Sequence, residues 1–270
     1  MNYMEKPKGW LKGWQTRAAG DPLTSAGVNW PIPFREFCAT FRRESILHLF
    51  PRWFLTDGNT LFTWFEDTNE GKPGPQGTEG TAKAQMHEVF TSKTMTLSTI
   101  SGFIKISRQA MEDASVFYGW IDNKLRYEER AAIEDYIINI FDTATLPTAT
   151  TLMDAYAQVL IGCGRKPTGL IIHPTDYASL LKNLEGAFFL HQTILSELEV
   201  VITTAVAVGG AIIGNFHIGC LLAEREEMDL SITQSDQSDF VNNIATLRWD
   251  WHGALAIMNT NCFCIASAMV

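Results

Sequence analysis

Ser107-Arg-Gln-Ala-Met-Glu-Asp-Ala114, running into Tyr118-Gly-Trp-Ile-Asp-Asn-Lys-Leu-Arg-Tyr-Glu-Glu-Arg130, reads as the start of one long helix. Phe117, Ile121, Leu125, Ala132, Tyr136 and Ile140 recur at helical spacing, while Lys124, Arg126, Glu128, Glu129, Arg130, Glu134 and Asp135 take the other faces. The pattern predicts an amphipathic helix of about six turns. The Glu128/Glu129 and Glu134/Asp135 clusters have no histidine at ligand spacing. They therefore read as a solvated or intersubunit charged face, not as a metal or acid/base site.

Upstream of the helix, residues 55–65 and 89–106 favour strands, with Phe62, Trp64, Val89, Thr94, Thr96, Ile104 and Ile106 supplying aromatic and β-branched side chains. Between them Gly71-Lys-Pro-Gly-Pro-Gln-Gly-Thr-Glu-Gly80 places glycine at every third position. So few triplets cannot wind a collagen helix, and the phosphate-loop spacing is missing, so the segment is expected to be a hairpin tip. Before residue 41 the chain is rich in Gly, Pro and Trp without a sustained period and reads as an extended arm.

Downstream, after a turn-rich break at 142–151, helix and strand alternate. Residues 152–161 read as helix, 169–173 as a buried strand, and Pro174-Thr-Asp176 stops that strand and starts a second helix through Leu184. The uncharged run 200–223 is long enough by count to consider as a membrane span. Its Thr203, Thr204, Asn215, His217 and Gly209-Gly210, with Val and Ile in short bursts, suit buried strands broken by turns. Residues 230–232, 240–251 and 254–258 then read as closing strands.

With 270 residues and 46% apolar content, the chain can build one or two cores. No apolar stretch follows the charges of Met1-Asn-Tyr-Met-Glu-Lys-Pro-Lys-Gly, so no secretory signal is expected and folding is placed in a cytoplasm. Cys38, Cys163, Cys220, Cys262 and Cys264 match no CxxC or zinc spacing and read as buried thiols. The net charge of −9 excludes a protein whose main task is gripping nucleic acid. Residues 1–43 differ from the rest. Lys6, Lys8, Lys12, Arg17, Arg35, Arg42 and Arg43 against Glu5, Asp21 and Glu36 leave this arm at +4 and the remainder at −13. A basic arm on an acidic body suits docking on an acidic neighbour or facing packaged DNA, or a solvated tail.

The opening stretch, Thr168-Gly-Leu-Ile-Ile-His-Pro-Thr-Asp-Tyr177, the Gly214-Asn-Phe216 turn, Arg225-Glu-Glu-Met-Asp-Leu230 and Asp239-Phe-Val-Asn-Asn-Ile-Ala-Thr-Leu-Arg-Trp249 fall in a telling order. In order and spacing they resemble the major capsid proteins of tailed bacteriophages with the Hong Kong 97 (HK97) fold, over roughly residues 45–265. That resemblance implies an α+β HK97-like capsid fold: an N-terminal arm at 1–48, an extended β-hairpin loop (E-loop) at 49–100, a peripheral (P) domain with a long spine helix at 101–145 and 226–270, and an axial (A) α/β domain at 146–225. The implied activity is assembly. Pentamers and hexamers close an icosahedral shell around double-stranded DNA, held on the inner face without sequence specificity. The homo-oligomer works with portal and scaffolding proteins and, in some shells, a decoration protein.

The resemblance further implies a virion protein assembled in the host bacterial cytoplasm, with no cofactor, no metal and no membrane. No scaffolding segment is visible before Met1-Asn-Tyr, so scaffolding is expected to be a separate protein. Lys72, Glu79 and Lys83 would be intersubunit loop residues, and Trp10, Trp14, Trp30 and Trp53 interface anchors, although Trp53 also fits a core position. Some shells of the family weld subunits by an isopeptide bond, and the matching positions here are Lys83 as nucleophile, Asn243 as electrophile and Asp250 as base. The family has Glu where this chain has Asp250, one methylene shorter. The non-covalent alternative has Lys83 in an intersubunit salt bridge and Asn243 capping a turn.

Two other functions compete. An encapsulin-type bacterial nanocompartment shares this fold and length but encloses cargo proteins. The second is a soluble α/β enzyme, against which stand its missing motifs: no Gly-x-Ser-x-Gly elbow, no HExxH, no Walker A, and Gly209-Gly-Ala-Ile-Ile-Gly214 misses the dinucleotide spacing. The six histidines are scattered singly.

Overall fold

The structure, a computed structural model, describes residues 42–55, 60–69, 73–75, 77–80, 82–83, 85, 87–109, 115–183, 196–235 and 239–267. In order the elements are β1 (Arg52–Phe54), β2 (Leu61–Asn69), β3 (Glu88–Thr96), β4 (Ser98–Ser107), α1 (Ser115–Thr143), β5 (Thr148–Ala149), α2 (Leu152–Cys163), β6 (Gly169–Ile172), α3 (Pro174–Asn183), β7 (Glu199–Ile202), β8 (Ala211–Gly214), β9 (Cys220–Thr233), β10 (Ile244–Ile257) and β11 (Phe263–Ala266). One-turn helices sit at Phe216–Gly219 and Asp239–Asn242. The chain divides into two units, one from Met1–Ser45, Thr99–Tyr136 and Glu227–Trp251, the other from Ile46–Ser98, Ile137–Glu226 and His252–Val270.

In the first unit, β4 lies beside β10 and β10 beside β9. Helix α1 is the long helix expected from the sequence; its 29 residues reach roughly 43 Å at 1.5 Å per residue. Ile121, Leu125, Glu129 and Ile133 are buried at steps of four residues, with Glu134 beside them. Glu129 and Glu134 thus leave the solvated or intersubunit charged face expected of the clusters, whereas Glu128 and Asp135 stay exposed on it. Arg43 supplies the reason: its Nε donates to Glu134 Oε2 at 2.9 Å, one guanidinium nitrogen donates to Asp135 Oδ1 at 2.8 Å, and the other donates to the Ala131 carbonyl. The Arg42 guanidinium lies 5.2 Å from the Tyr127 ring centroid, and the Arg43 backbone N–H donates to the Tyr127 hydroxyl. The end of the basic arm is therefore laced along α1 by charge and stacking.

The second unit holds a five-stranded sheet in the order β5-β11-β8-β6-β7. β6 and β7 run parallel, joined by a crossover that includes α3, and β8 runs antiparallel to both β6 and β11. All four residues of β6 and of β8 are buried, which explains their unbroken apolar runs. Leu152, Ala155 and Val159 of α2 pack on Leu170, Ile172, Ile213, Cys264 and Ala266. The Thr151 side chain caps α2 by accepting from the Asp154 N–H, and Gly164, at φ 69, ends it. Pro174 opens α3 as expected, with Asp176 in its first turn. The uncharged run became β7, β8 and the start of β9, and among the described residues no helix is long and apolar enough to cross a membrane.

Phe50, Phe141, Phe216 and Phe263 form an aromatic cluster in this unit, with centroid separations between 5.1 and 6.2 Å. Gly214-Asn-Phe216 exists to seat it. A Cβ at Gly214 would come within 2.3 Å of the Phe263 ring, so only glycine lets the two backbones approach. The Asn215 N–H donates to the Cys262 carbonyl, the Asn215 side-chain amide to the Lys166 carbonyl, and the Phe216 N–H to the Thr168 hydroxyl.

Two local readings differ from the sequence expectation. Phe240 to Asn242 belong to the one-turn helix and not to a strand, and Asn243 follows at φ 55 before β10 begins. The final strand, β11, joins the five-stranded sheet between β5 and β8, where backbone pairing with Gly214 to Ala211 holds it. Phe263→Ala is expected to cost about 3–5 kcal/mol, because it empties the centre of the ring cluster. Chemical denaturation measures it, and a loss under about 1 kcal/mol would show that the cluster tolerates the gap.

Candidate functional site

The hairpin β2–β3 forms a two-stranded sheet of its own. Leu61 pairs with Thr96 and the register continues through Asn69 with Glu88. Nine residues per strand give a ribbon of roughly 30 Å. Its alternation puts Leu61, Phe65 and Phe90 on one face, where they are 54%, 69% and 64% exposed. On the other face Phe62 stacks on Trp64 at 5.9 Å, and Lys93 pairs with Glu66 at 3.6 Å. A lone two-stranded ribbon is at best marginally stable in water, and this one keeps large apolar side chains wet.

Beyond the strands, Glu79 lies in a turn with Gly80 at φ 88, and Lys83 is exposed on the returning segment. Lys72 lies outside the described residues, as do Trp10, Trp14, Trp30 and Cys38. Trp53, on β1, is 58% exposed, which removes the core reading for it. Its strand runs parallel to the first residues of β9, with Trp53 opposite Ala223.

Asn243 occupies a left-handed position just after the one-turn helix at Asp239–Asn242, with its side chain exposed. Its carbonyl accepts the Arg108 N–H at 2.9 Å. Asp250 is half-buried on β10, and its carboxylate lies 2.8 Å from Arg248 Nε. Seven residues of extended chain place Asn243 and Asp250 on the order of 20 Å apart within one subunit. An Asp250 acting on an Asn243 must therefore come from a different copy.

Sequence reasoning missed a second buried group at this end of the chain. Asp239, 2% exposed, accepts from Thr246 Oγ1 and from Lys105 Nζ at 2.9 Å. The Thr246 hydroxyl and then the Lys105 ammonium hold the Asp239 carboxyl below the usual carboxylate range. Phe240 and Val241 next to it are 82% and 85% exposed, so a fixed acidic anchor presents an open apolar pair. Among the described residues no cluster of His, Cys, Asp or Glu is placed to hold a metal.

This combination of a long helix, a separate two-stranded ribbon and a mixed five-stranded sheet is the α+β architecture of HK97-like capsid subunits. The phage capsid family matches residues 35–267, and the chain belongs to that family. The major capsid protein of Enterobacteria phage HK97 is 25% identical over 205 residues, covering 66% of this chain and 53% of that protein. The match thus spans about half the length of this curated relative. Solved structures share the fold at low identity. That of Microbacterium phage Oxtober96 has TM-score 0.68 at 11% identity, covering 87% of this chain and 95% of the other. The capsid of an empty GTA particle gives 0.69 at 12%, with 89% and 95% covered, and Gordonia phage Cozz gives 0.66 at 13%, with 94% and 97%.

Because the folded-state value of Asp239 is lowered, its contribution is present above the ordinary carboxylate pKa of about 3.9 and is lost as pH falls through the lowered value. The unfolding midpoint of the parent chain should therefore fall more steeply below about pH 5 than that of Asp239→Asn. Thermal scans across that range check it; parallel acid profiles would remove Asp239 as a source of acid sensitivity.

Proposed function

We propose that this chain is the major capsid protein of a tailed double-stranded DNA bacteriophage, assembling as pentamers and hexamers into the icosahedral shell that encloses the genome. The observation that carries this reading is the β2–β3 ribbon, whose Leu61, Phe65 and Phe90 stay in water on a lone subunit. Laid across a neighbour, the same ribbon buries apolar surface and completes its own stability. The family match over residues 35–267 supports the same role.

In this reading residues 1–48 are the arm, 49–100 the E-loop, 101–145 and 226–270 the peripheral segments, and 146–225 the axial domain, with Phe263–Ala266 lending its strand to the axial sheet. Lys72, Glu79 and Lys83 are the loop's charged contacts with the next subunit. The basic arm, at +4, serves an acidic neighbour or the packaged DNA, which is held without sequence specificity. Portal and scaffolding proteins, with or without a decoration protein, complete the partner set. The protein assembles in the host bacterial cytoplasm and ends in the virion.

A covalent weld is the second reading for Lys83, because Asn243 presents its side chain outward from a left-handed turn. Since Asp250 of the same chain lies a strand's length away, the bond would need Lys83, Asn243 and Asp250 brought together from different copies. In the non-covalent reading, Lys83 forms a salt bridge and Asn243 serves its turn.

Negative-stain electron microscopy of the assembled material, with nuclease-protected nucleic acid quantified and the same particles run on a denaturing gel, tests these readings together. DNA-filled heads are expected. Uniform shells filled with protein would favour the encapsulin-type compartment, and discrete monomers or dimers under every assembly condition would overturn both. A ladder of multiples on the gel would establish the weld, and a monomer band alone would exclude it. Deleting residues 71–80 is expected to leave a folded subunit, by circular dichroism, that no longer forms stable shells. Normal particles from that deletion would remove the loop from the assembly interface.

A further inference from the structure

We propose that Cys163 and Cys262 are a modification site, forming an intrasubunit disulfide that staples the end of α2 to the turn before β11 when the folded chain meets a small-molecule disulfide oxidant. The two Sγ atoms lie 2.8 Å apart, within about 1 Å of the ~2.05 Å covalent bond. They come from positions 99 residues apart, so no local sequence pattern announces the pair. Neither backbone is free to drift. Cys163 is the last residue of α2, closed by Gly164 at φ 69, whose N–H returns to the Leu160 carbonyl. Cys262 ends the 3-10 turn Thr260–Cys262, where its N–H donates to the Asn259 carbonyl and its own carbonyl accepts from Asn215. A Cβ at Gly162 would come within 2.9 Å of the Asn261 carbonyl. Helix and turn are thus already at the closest approach that a glycine permits, and the thiols face each other across it.

The environments divide the chemistry between the two. Cys262 is buried, and burial first, then its hydrogen bond to Cys163, pushes its thiol up to about 12. Cys262 keeps its proton and donates it toward Cys163, which is half-buried and is the thiol that solvent reaches. Cys163 as thiolate attacks one sulfur of oxidised glutathione and expels glutathione thiolate, leaving a mixed disulfide on Cys163. Cys262 then loses its proton to water and attacks Cys163 Sγ, expelling the second glutathione thiolate. Two protein thiols are oxidised and one glutathione disulfide is reduced to two thiols. The other described cysteines are otherwise engaged. The Cys220 thiol, driven upward by burial, donates to the Phe216 carbonyl, and the closest partner of Cys264 Sγ is the Ile265 carbonyl. A reducing cytosol leaves such a pair as thiols, and an oxidising exterior closes it.

The full-length chain, purified with its thiols reduced, is incubated with oxidised glutathione, alkylated with iodoacetamide and digested with trypsin and chymotrypsin. Chymotrypsin cleaves after Phe263 and so separates Cys262 from Cys264. The expected product is the Cys163 peptide linked to the Cys262 peptide, two hydrogens lighter than their sum, absent in Cys163→Ser and in Cys262→Ser but retained in Cys264→Ser. The link closes a long loop in the unfolded chain, so the unfolding midpoint should rise by about 5 °C or more and return on reduction. A glutathione adduct that persists on Cys163, a link to Cys264 or to a second chain, full alkylation of both thiols, or an unchanged midpoint would overturn the proposal.

Discussion

The four-ring cluster of Phe50, Phe141, Phe216 and Phe263 is the constraint on which the second unit depends. Each ring comes from a different part of the chain: the segment after the arm, the last turns of α1, the turn after β8, and the start of β11. Phe141, Phe216 and Phe263 are wholly buried and meet edge to face, an arrangement that adds directional preference to area burial. Because its partners are so distant in sequence, the cluster fixes where the helix must end and where the last strand must enter. Gly214 and Gly219 are consequences of it, since a side chain at either position would collide with Phe263.

Against that fixed centre the hairpin is a deliberate imbalance. The five-stranded sheet buries whole strands, whereas β3 keeps nearly every residue exposed. A long wet ribbon carrying Phe65 and Phe90 outward adds no apolar burial to the lone chain. The arm follows the opposite logic. Its final arginines, Arg42 and Arg43, are spent inside the subunit on Glu134, Asp135 and Tyr127.

Much of this was legible in the chain. The 3.6-residue period gave α1, Pro174 gave the start of α3, and the unbroken apolar runs gave β6, β7 and β8, because each of those signals is local. The hairpin's strands and its glycine tip were equally local. What escaped were long-range pairings. Glu134 looks like one more surface acid until Arg43 is brought 91 residues to meet it. Residues 240–242 alternate as a strand would, yet the Asp239 carboxylate, tied to Lys105 and Thr246, secures a helical turn there instead. Phe263–Ala266 carries no mark of which sheet it joins, and Cys163 and Cys262 show no spacing motif. Of the expected loop residues, Glu79 and Lys83 are exposed, and a single chain does not encode what they would meet.

The position of β11 ties completion of the five-stranded sheet to the order in which the polypeptide is made. Strands β5, β8, β6 and β7 are all synthesised earlier, yet β11 runs between β5 and β8 and pairs with both. Until residues 263–266 leave the ribosome, β8 has an open edge and the phenylalanine cluster lacks its fourth ring. A chain interrupted upstream cannot close this sheet from its own residues. The late strand thus makes closure of this sheet conditional on translation through its last member.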